Sequence, residues 1–174
     1  MRVLFVCTGN ICRSPTAELL TAAYARESGA GDLSAHSAGT RALVDHGVEP
    51  TAAQVLRRLG GDPDGFRARR LTPAIAQDAD LVLTMTEQHR SAVLTMAPRM
   101  LRTTFTLREA ARLQQASGAS TVAELADARA RHDVPVPAGP EDIDDPIGRD
   151  DETFARVASE IADLLVPVLR RVRG

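Results

Sequence analysis

The chain contains no lysine and no tryptophan, and aromatic residues make up only 3% of it. Every one of its 21 basic residues is therefore an arginine, set against 23 acidic residues for a formal net charge of −2. That balance leaves no basic footprint for nucleic acid, so no nucleic-acid partner is expected. Arginine without lysine, beside abundant alanine, matches the bias of a GC-rich bacterial genome better than it matches a binding function. No apolar run is long enough to span a bilayer, which excludes a membrane-spanning helix and with it a membrane partner. The chain opens on a core strand, so no signal peptide is expected. Cysteine is scarce as well. Cys7 and Cys12 are the only two, both in one loop that needs a free thiol, which points to the reducing cytoplasm. His36, His46, His89 and His132 fit no metal-ligand spacing and read as surface or loop residues. No metal and no other cofactor is expected.

What is present is the composition of a globular protein, 44% apolar and 25% charged. The 174 residues are enough for a single domain over 1–174 with a real core. Short apolar runs alternate with amphipathic stretches, the pattern of a parallel α/β sheet with helices on both faces. Four strands are read: Val3 to Val6, Leu33 to Ser37, Leu81 to Thr84 and Met100 to Phe105. Helices are expected from Pro15 to about Ser28, from near Pro50 to Gly60, briefly after Thr72-Pro73, and from about Glu87 to Met96. Thr106 to Glu109 and Thr121 to Glu124 read as capping boxes, the second opening a helix to about Arg131. The stretch from Asp133 to Pro146 holds four prolines and five carboxylates and should be irregular. A last helix starts near Asp151, with a kink or fraying expected at Pro167.

The chemistry gathers at Cys7-Thr8-Gly9-Asn10-Ile11-Cys12-Arg13-Ser14, followed by Pro15. A buried strand runs into this stretch and a helix leaves it, with Ser14 read as N-cap and Pro15 as the first helical residue. Loop N–H groups in that setting have no partner in strand or helix and can face an anion, and the helix dipole adds positive charge there. Arg13 can grip two oxygens of a tetrahedral oxyanion. Cys7 lies among N–H dipoles, a helix terminus and a guanidinium, all of which favour the thiolate. A thiolate beneath a bound phosphate is a nucleophile toward phosphorus. No Gly-Lys-Ser/Thr follows, so this is not a Walker loop. The bland alternative is an inert buried thiol at a strand end. Cys12 reads either as a thiol that could trap oxidised Cys7 in a disulfide or as a small apolar filler.

The segment Val3 to Leu20, VLFVCTGNICRSPTAELL, resembles the signature of the low-molecular-weight protein tyrosine phosphatases. The resemblance continues in Ser37 to Thr40, Ala68 to Thr72, Asp80 to Met85 and Asp145-Pro146, in the family's order. It implies that Cys7 is the nucleophile, that Thr8 to Ser14 bind phosphate, and that Asp145 is the general acid and later the general base. Asp142, Asp144, Asp150 and Asp151 crowd Asp145 in sequence and would favour its protonated form. The resemblance further implies that Ser14 steadies the thiolate and that Asn10, with Ser37 as partner, holds the loop in shape. A left-handed turn residue is the plainer reading of Asn10.

This chain departs from the family at several slots. Phe66 fills the slot just ahead of the Ala68-Arg69 pair where mammalian members carry a bracing His, and Thr86 stands where Asp is common. Leu43 and Ile147 occupy the positions of the aromatic walls that tyrosine-directed members place around the pocket. The expected substrate is a phosphorylated protein residue, phosphotyrosine first, or a small phosphoester. Any self-association should stop at a weak dimer. Protein-arginine phosphatase is an alternative, although those relatives carry Thr in place of Ile11. Arsenate reductase is another, but no Cys follows Cys12 to relay electrons, so an external thiol would be needed. A non-catalytic anion-binding module would not need Cys7 and Asp145.

Overall fold

The computed structural model describes residues 1–132 and 134–172; Asp133 and the last two residues lie outside it. Four parallel strands, β1 (Arg2–Cys7), β2 (Ser34–Gly39), β3 (Leu81–Thr84) and β4 (Thr104–Thr106), form one sheet in the order β2-β1-β3-β4. The chain leaves β1 for one neighbour and later returns to its other side. The carboxyl end of β1 is thus the point where strand order reverses, the place at which open parallel sheets bind ligands.

Strand alternation divides the core in two. Val3, Phe5 and Cys7 of β1 join Leu81, Leu83 and Phe105 on one face. That face is covered by α1 (Arg13–Ser28), α5 (Leu107–Ser117), α6 (Val122–Arg131) and α7 (Asp151–Arg171). Leu4, Val6 and Val82 point the other way, onto α3 (Pro73–Gln77) and α4 (Glu87–Met96). The nine-residue helix α2 (Pro50–Arg58) packs behind the loop after β1, where Ala52 and Val55 meet Cys12, Phe154 and Ala158. Among the described residues no helix is long and apolar enough to cross a membrane.

Several sequence expectations are corrected. The helix after the loop begins at Arg13 and not at Pro15, so Cys12 occupies the cap position and makes no side-chain cap. Ser14 is inside the first turn, and its hydroxyl is used elsewhere. Met100 to Phe105 is not one strand: a 3₁₀ turn covers Pro98–Arg102, and β4 starts at Thr104. Apolar content misled there because Met100 is buried from a helical turn. The Thr106–Glu109 capping box is complete. At Thr121 only half of one forms, since the Glu124 carboxylate accepts from the Ser120 N–H and hydroxyl, at 2.7 and 3.0 Å. The last helix runs through Pro167 to Arg171 without ending there.

Candidate active site

The loop from Cys7 to Ser14 turns its carbonyls outward. Those of Cys7, Thr8 and Gly9 accept the N–H groups of Thr40, Arg41 and Leu43 at 3.0, 2.9 and 2.9 Å, and that of Ile11 accepts from Glu49 at 2.7 Å. The N–H groups of Thr8, Gly9, Asn10, Ile11 and Cys12 donate to no group among the described residues. With the carbonyls spent on the surrounding segment, these donors are left unpaired at the start of α1, an arrangement that suits an anion. The approach of the 39–43 segment depends on Gly39, because a Cβ there would lie 2.4 Å from the Thr8 carbonyl oxygen. No other residue fits between β2 and the loop.

Asn10 holds the loop from inside. It is fully buried with a left-handed φ of 55°, a conformation that Asn tolerates and most residues avoid. Its Nδ2 donates to Ser14 Oγ at 3.0 Å and to Ser37 Oγ at 2.7 Å, and its Oδ1 accepts the Arg69 N–H at 2.8 Å. Ser37 in turn donates to Glu18 Oε2 at 2.5 Å. Burial pushes the Glu18 carboxyl up from its ordinary value, against the opposing pull of Ser37 and Arg69. Asn10→Ala removes three hydrogen bonds and leaves a Cβ at positive φ without a local partner. We expect a loss of about 2–4 kcal/mol in denaturant unfolding; a change below about 1 kcal/mol would mean the network is dispensable.

The direction of these bonds determines what Cys7 receives. Ser14 Oγ accepts one Asn10 N–H, and among the described residues the acceptor within reach of its own proton is Cys7 Sγ at 2.9 Å. Cys7 and Ser14 are both buried, so water does not compete. Cys12, by contrast, packs in the apolar cluster with Val55 and Phe154, and burial together with Cys7 pushes its thiol up. Both cysteines are free thiols.

Arg13 is buried and reaches across to the 141–147 segment. One terminal nitrogen donates to the Ile143 carbonyl at 2.9 Å and the other to Asp145 Oδ2 at 2.5 Å. Three of its five N–H groups remain for an anion in the loop. The carboxylates that crowd Asp145 in sequence are directed elsewhere. Asp142 accepts from the Glu87 N–H, Asp144 pairs with Arg156, and Asp150 caps α7 through Thr153. Asp145 itself is bonded by the Arg13 guanidinium and the Ile147 N–H. Ile143 N–H donates to the Met85 carbonyl at 2.8 Å, which seats the segment at the end of β3.

The family model described as "Low molecular weight phosphotyrosine protein phosphatase" matches residues 2–125. The chain belongs to this family. It is 42% identical over 98 residues to the low molecular weight protein-tyrosine-phosphatase Wzb of Escherichia coli K12, covering 56% of this chain and 63% of that protein. The aligned stretch thus spans less than two thirds of that relative's length. A low molecular weight protein tyrosine phosphatase from T. tengcongensis superposes with a TM-score of 0.76 at 30% identity, over 98% of each chain. The YwlE arginine phosphatase from Geobacillus stearothermophilus does so with a TM-score of 0.73 at 28% identity, over 97% of this chain and 90% of that one.

Within the family fold, the structure places the remaining site residues as follows. Leu43 is tied to the loop through Gly9, and the Ile147 N–H donates to Asp145 Oδ1 at 3.2 Å. Both side chains are 47% exposed. Phe66 takes no part in the Asn10 network, where the Arg69 N–H is the brace. His89 corrects its sequence reading: it is buried, with Nε2 2.8 Å from Thr8 Oγ1 and Nδ1 2.9 Å from Thr86 Oγ1. Burial, and then Arg13, hold its pKa down to about 4, so the ring is neutral at neutral pH. His89 and Glu18 were missed because each meets the site through a partner distant in sequence. Their spacing on α4 and α1 was the sole signal. Among the described residues no cluster of His, Cys, Asp or Glu is arranged to hold a metal.

Proposed function

We propose that the chain acts as one phosphatase domain, hydrolysing phosphorylated protein residues through a cysteinyl-phosphate intermediate. The observation that carries this reading is the pairing of two contacts around one loop, Ser14 Oγ on Cys7 Sγ at 2.9 Å and Arg13 on Asp145 at 2.5 Å. The loop N–H groups and Arg13 hold the phosphoryl oxygens, and Cys7 Sγ attacks phosphorus as the ester P–O bond breaks. Asp145 gives its proton to the departing oxygen. In the second step Asp145 takes a proton from water, the water oxygen bonds to phosphorus, and the P–S bond breaks with Ser14 donating to the leaving sulfur. A reducing, cytoplasmic setting suits a reaction that depends on a free thiol.

Phosphotyrosine is the substrate favoured by the family and by Ile11, which stands where the resembling arginine phosphatases carry Thr. Leu43 and Ile147 offer apolar cover without the ring-on-ring geometry that is worth about 0.5–1.5 kcal/mol per contact. Activity on phosphotyrosine should accordingly be modest, and non-aromatic phosphoesters should be accepted comparatively well. Ile147→Tyr is expected to raise kcat/KM for phosphotyrosine peptides about 2- to 10-fold, mostly through KM. No gain would place the aromatic-binding wall at another residue. The deciding experiment measures phosphate release from phosphotyrosine, phosphoarginine and phosphoserine peptides beside arsenate reduction with a low-molecular-weight thiol. Phosphotyrosine should be hydrolysed faster than phosphoarginine; the reverse order, or arsenate turnover alone, overturns the assignment.

A further inference from the structure

Thr86, His89 and Thr8 make a chain of hydrogen bonds whose direction can be followed to its end. Thr86 Oγ1 caps α4 by accepting the His89 backbone N–H at 3.1 Å. Among the described residues the acceptor within reach of its own proton is His89 Nδ1 at 2.9 Å. The ring carries a single N–H, because burial and Arg13 outweigh the pull of Asp142 and Asp145 on its titration. With Nδ1 accepting, that N–H is on Nε2, and it donates to Thr8 Oγ1 at 2.8 Å. The Thr8 hydroxyl proton is then the one donor in the chain left without an acceptor among the described residues.

Its place decides what it can serve. Thr8 directly follows Cys7 and belongs to the loop whose N–H groups face inward. The His89 ring that orients it feels the charges of Arg13 and Asp145, the two side chains paired beside the loop. We propose that the Thr8 hydroxyl is a further hydrogen-bond donor to the phosphoryl group bound in the loop, with His89 and Thr86 as the residues that orient it. This rests on the phosphatase reading. It adds to the N–H cradle a side-chain donor whose direction is imposed from α4, 81 residues away in sequence.

The test measures orthovanadate and inorganic phosphate binding by calorimetry, alongside aryl phosphate hydrolysis, for the parent and four variants. Thr8→Val keeps the shape and deletes the donor, and should weaken vanadate binding and kcat/KM about 10- to 100-fold, as expected for a bond to a charged group. Thr8→Ser should stay within about 3-fold of the parent, since the hydroxyl is retained. His89→Gln can present an amide N–H near the Nε2 position and should recover much of what His89→Leu loses. Long-range ¹H–¹⁵N spectra should show His89 neutral with its proton on Nε2 from about pH 5 to 8, the window above its lowered pKa. Vanadate binding unchanged in Thr8→Val, or a proton on Nδ1, overturns the proposal even if the parent is an active phosphatase. A parent that binds neither anion and hydrolyses no ester overturns the phosphatase reading and this inference together.

Discussion

A Cys7→Ser protein is expected to hold phosphate or vanadate and to turn over no phosphoester. The proposed cradle consists of backbone N–H groups and Arg13, and the bonds that hold the loop and Arg13 in place do not involve the sulfur. Binding should therefore survive. Turnover should not, because a serine hydroxyl ionises far less readily than a thiol and its side-chain partner among the described residues is another hydroxyl, Ser14 Oγ, not a base. The same contact that suits a thiolate leaves an alkoxide inaccessible at neutral pH. Steady-state phosphate release and anion calorimetry on the variant check both halves. Appreciable turnover would remove Cys7 from the mechanism, and loss of binding would mean that the sulfur shapes the cradle.

Asp145→Asn is expected to cost about 10²–10⁴ in kcat with alkyl or unactivated aryl phosphates. Activated aryl phosphates, whose leaving groups need no proton, should lose far less. Asn keeps one acceptor oxygen, for the Ile147 N–H, and gives up the one that Arg13 uses, while the segment stays seated through Ile143 on Met85 and Asp142 on Glu87. In the structure Arg13 bonds to Asp145; once a phosphoryl dianion fills the loop, the guanidinium has a second anion to satisfy and its hold on the carboxyl loosens. A series of leaving groups separates donation from positioning. An equal loss across the series would show that Asp145 positions the loop and gives no proton.

The parts legible from sequence are those determined over a few residues. The apolar runs at Val3 to Val6 and Leu81 to Thr84 are β1 and β3, because fully buried strands need continuous apolar side chains. The Thr106 capping box and the Gly29 end of α1, at φ 67°, follow from bonds within one helical turn. The unpaired N–H groups of the loop were readable too, since a strand, a short loop and a helix start leave them without partners.

Local rules also produced the error at Ser14. Serine before proline satisfies every requirement of an N-cap, yet the hydroxyl is worth more between Asn10 and Cys7, in a buried space where an unmet donor is costly. The carboxylates near Asp145 in sequence make a related point. Neighbouring carboxylates on an irregular segment are free to turn away from one another, and Glu87, Arg156 and Thr153 drew three of them off. His89 shows the limit most plainly. Its spacing on α4 does not tell whether it faces water or the core, and its charge, its tautomer and its contact with Thr8 arise only once α4 packs beside the loop. The sequence alone determined that two thiols, an arginine and a loop between a strand and a helix start come together, because they lie within eight consecutive residues. The orientation of the donors, and the pairing of Arg13 with Asp145 across 132 positions, were decided by the tertiary fold, because long-range partners compete for the same protons and only packing selects among them.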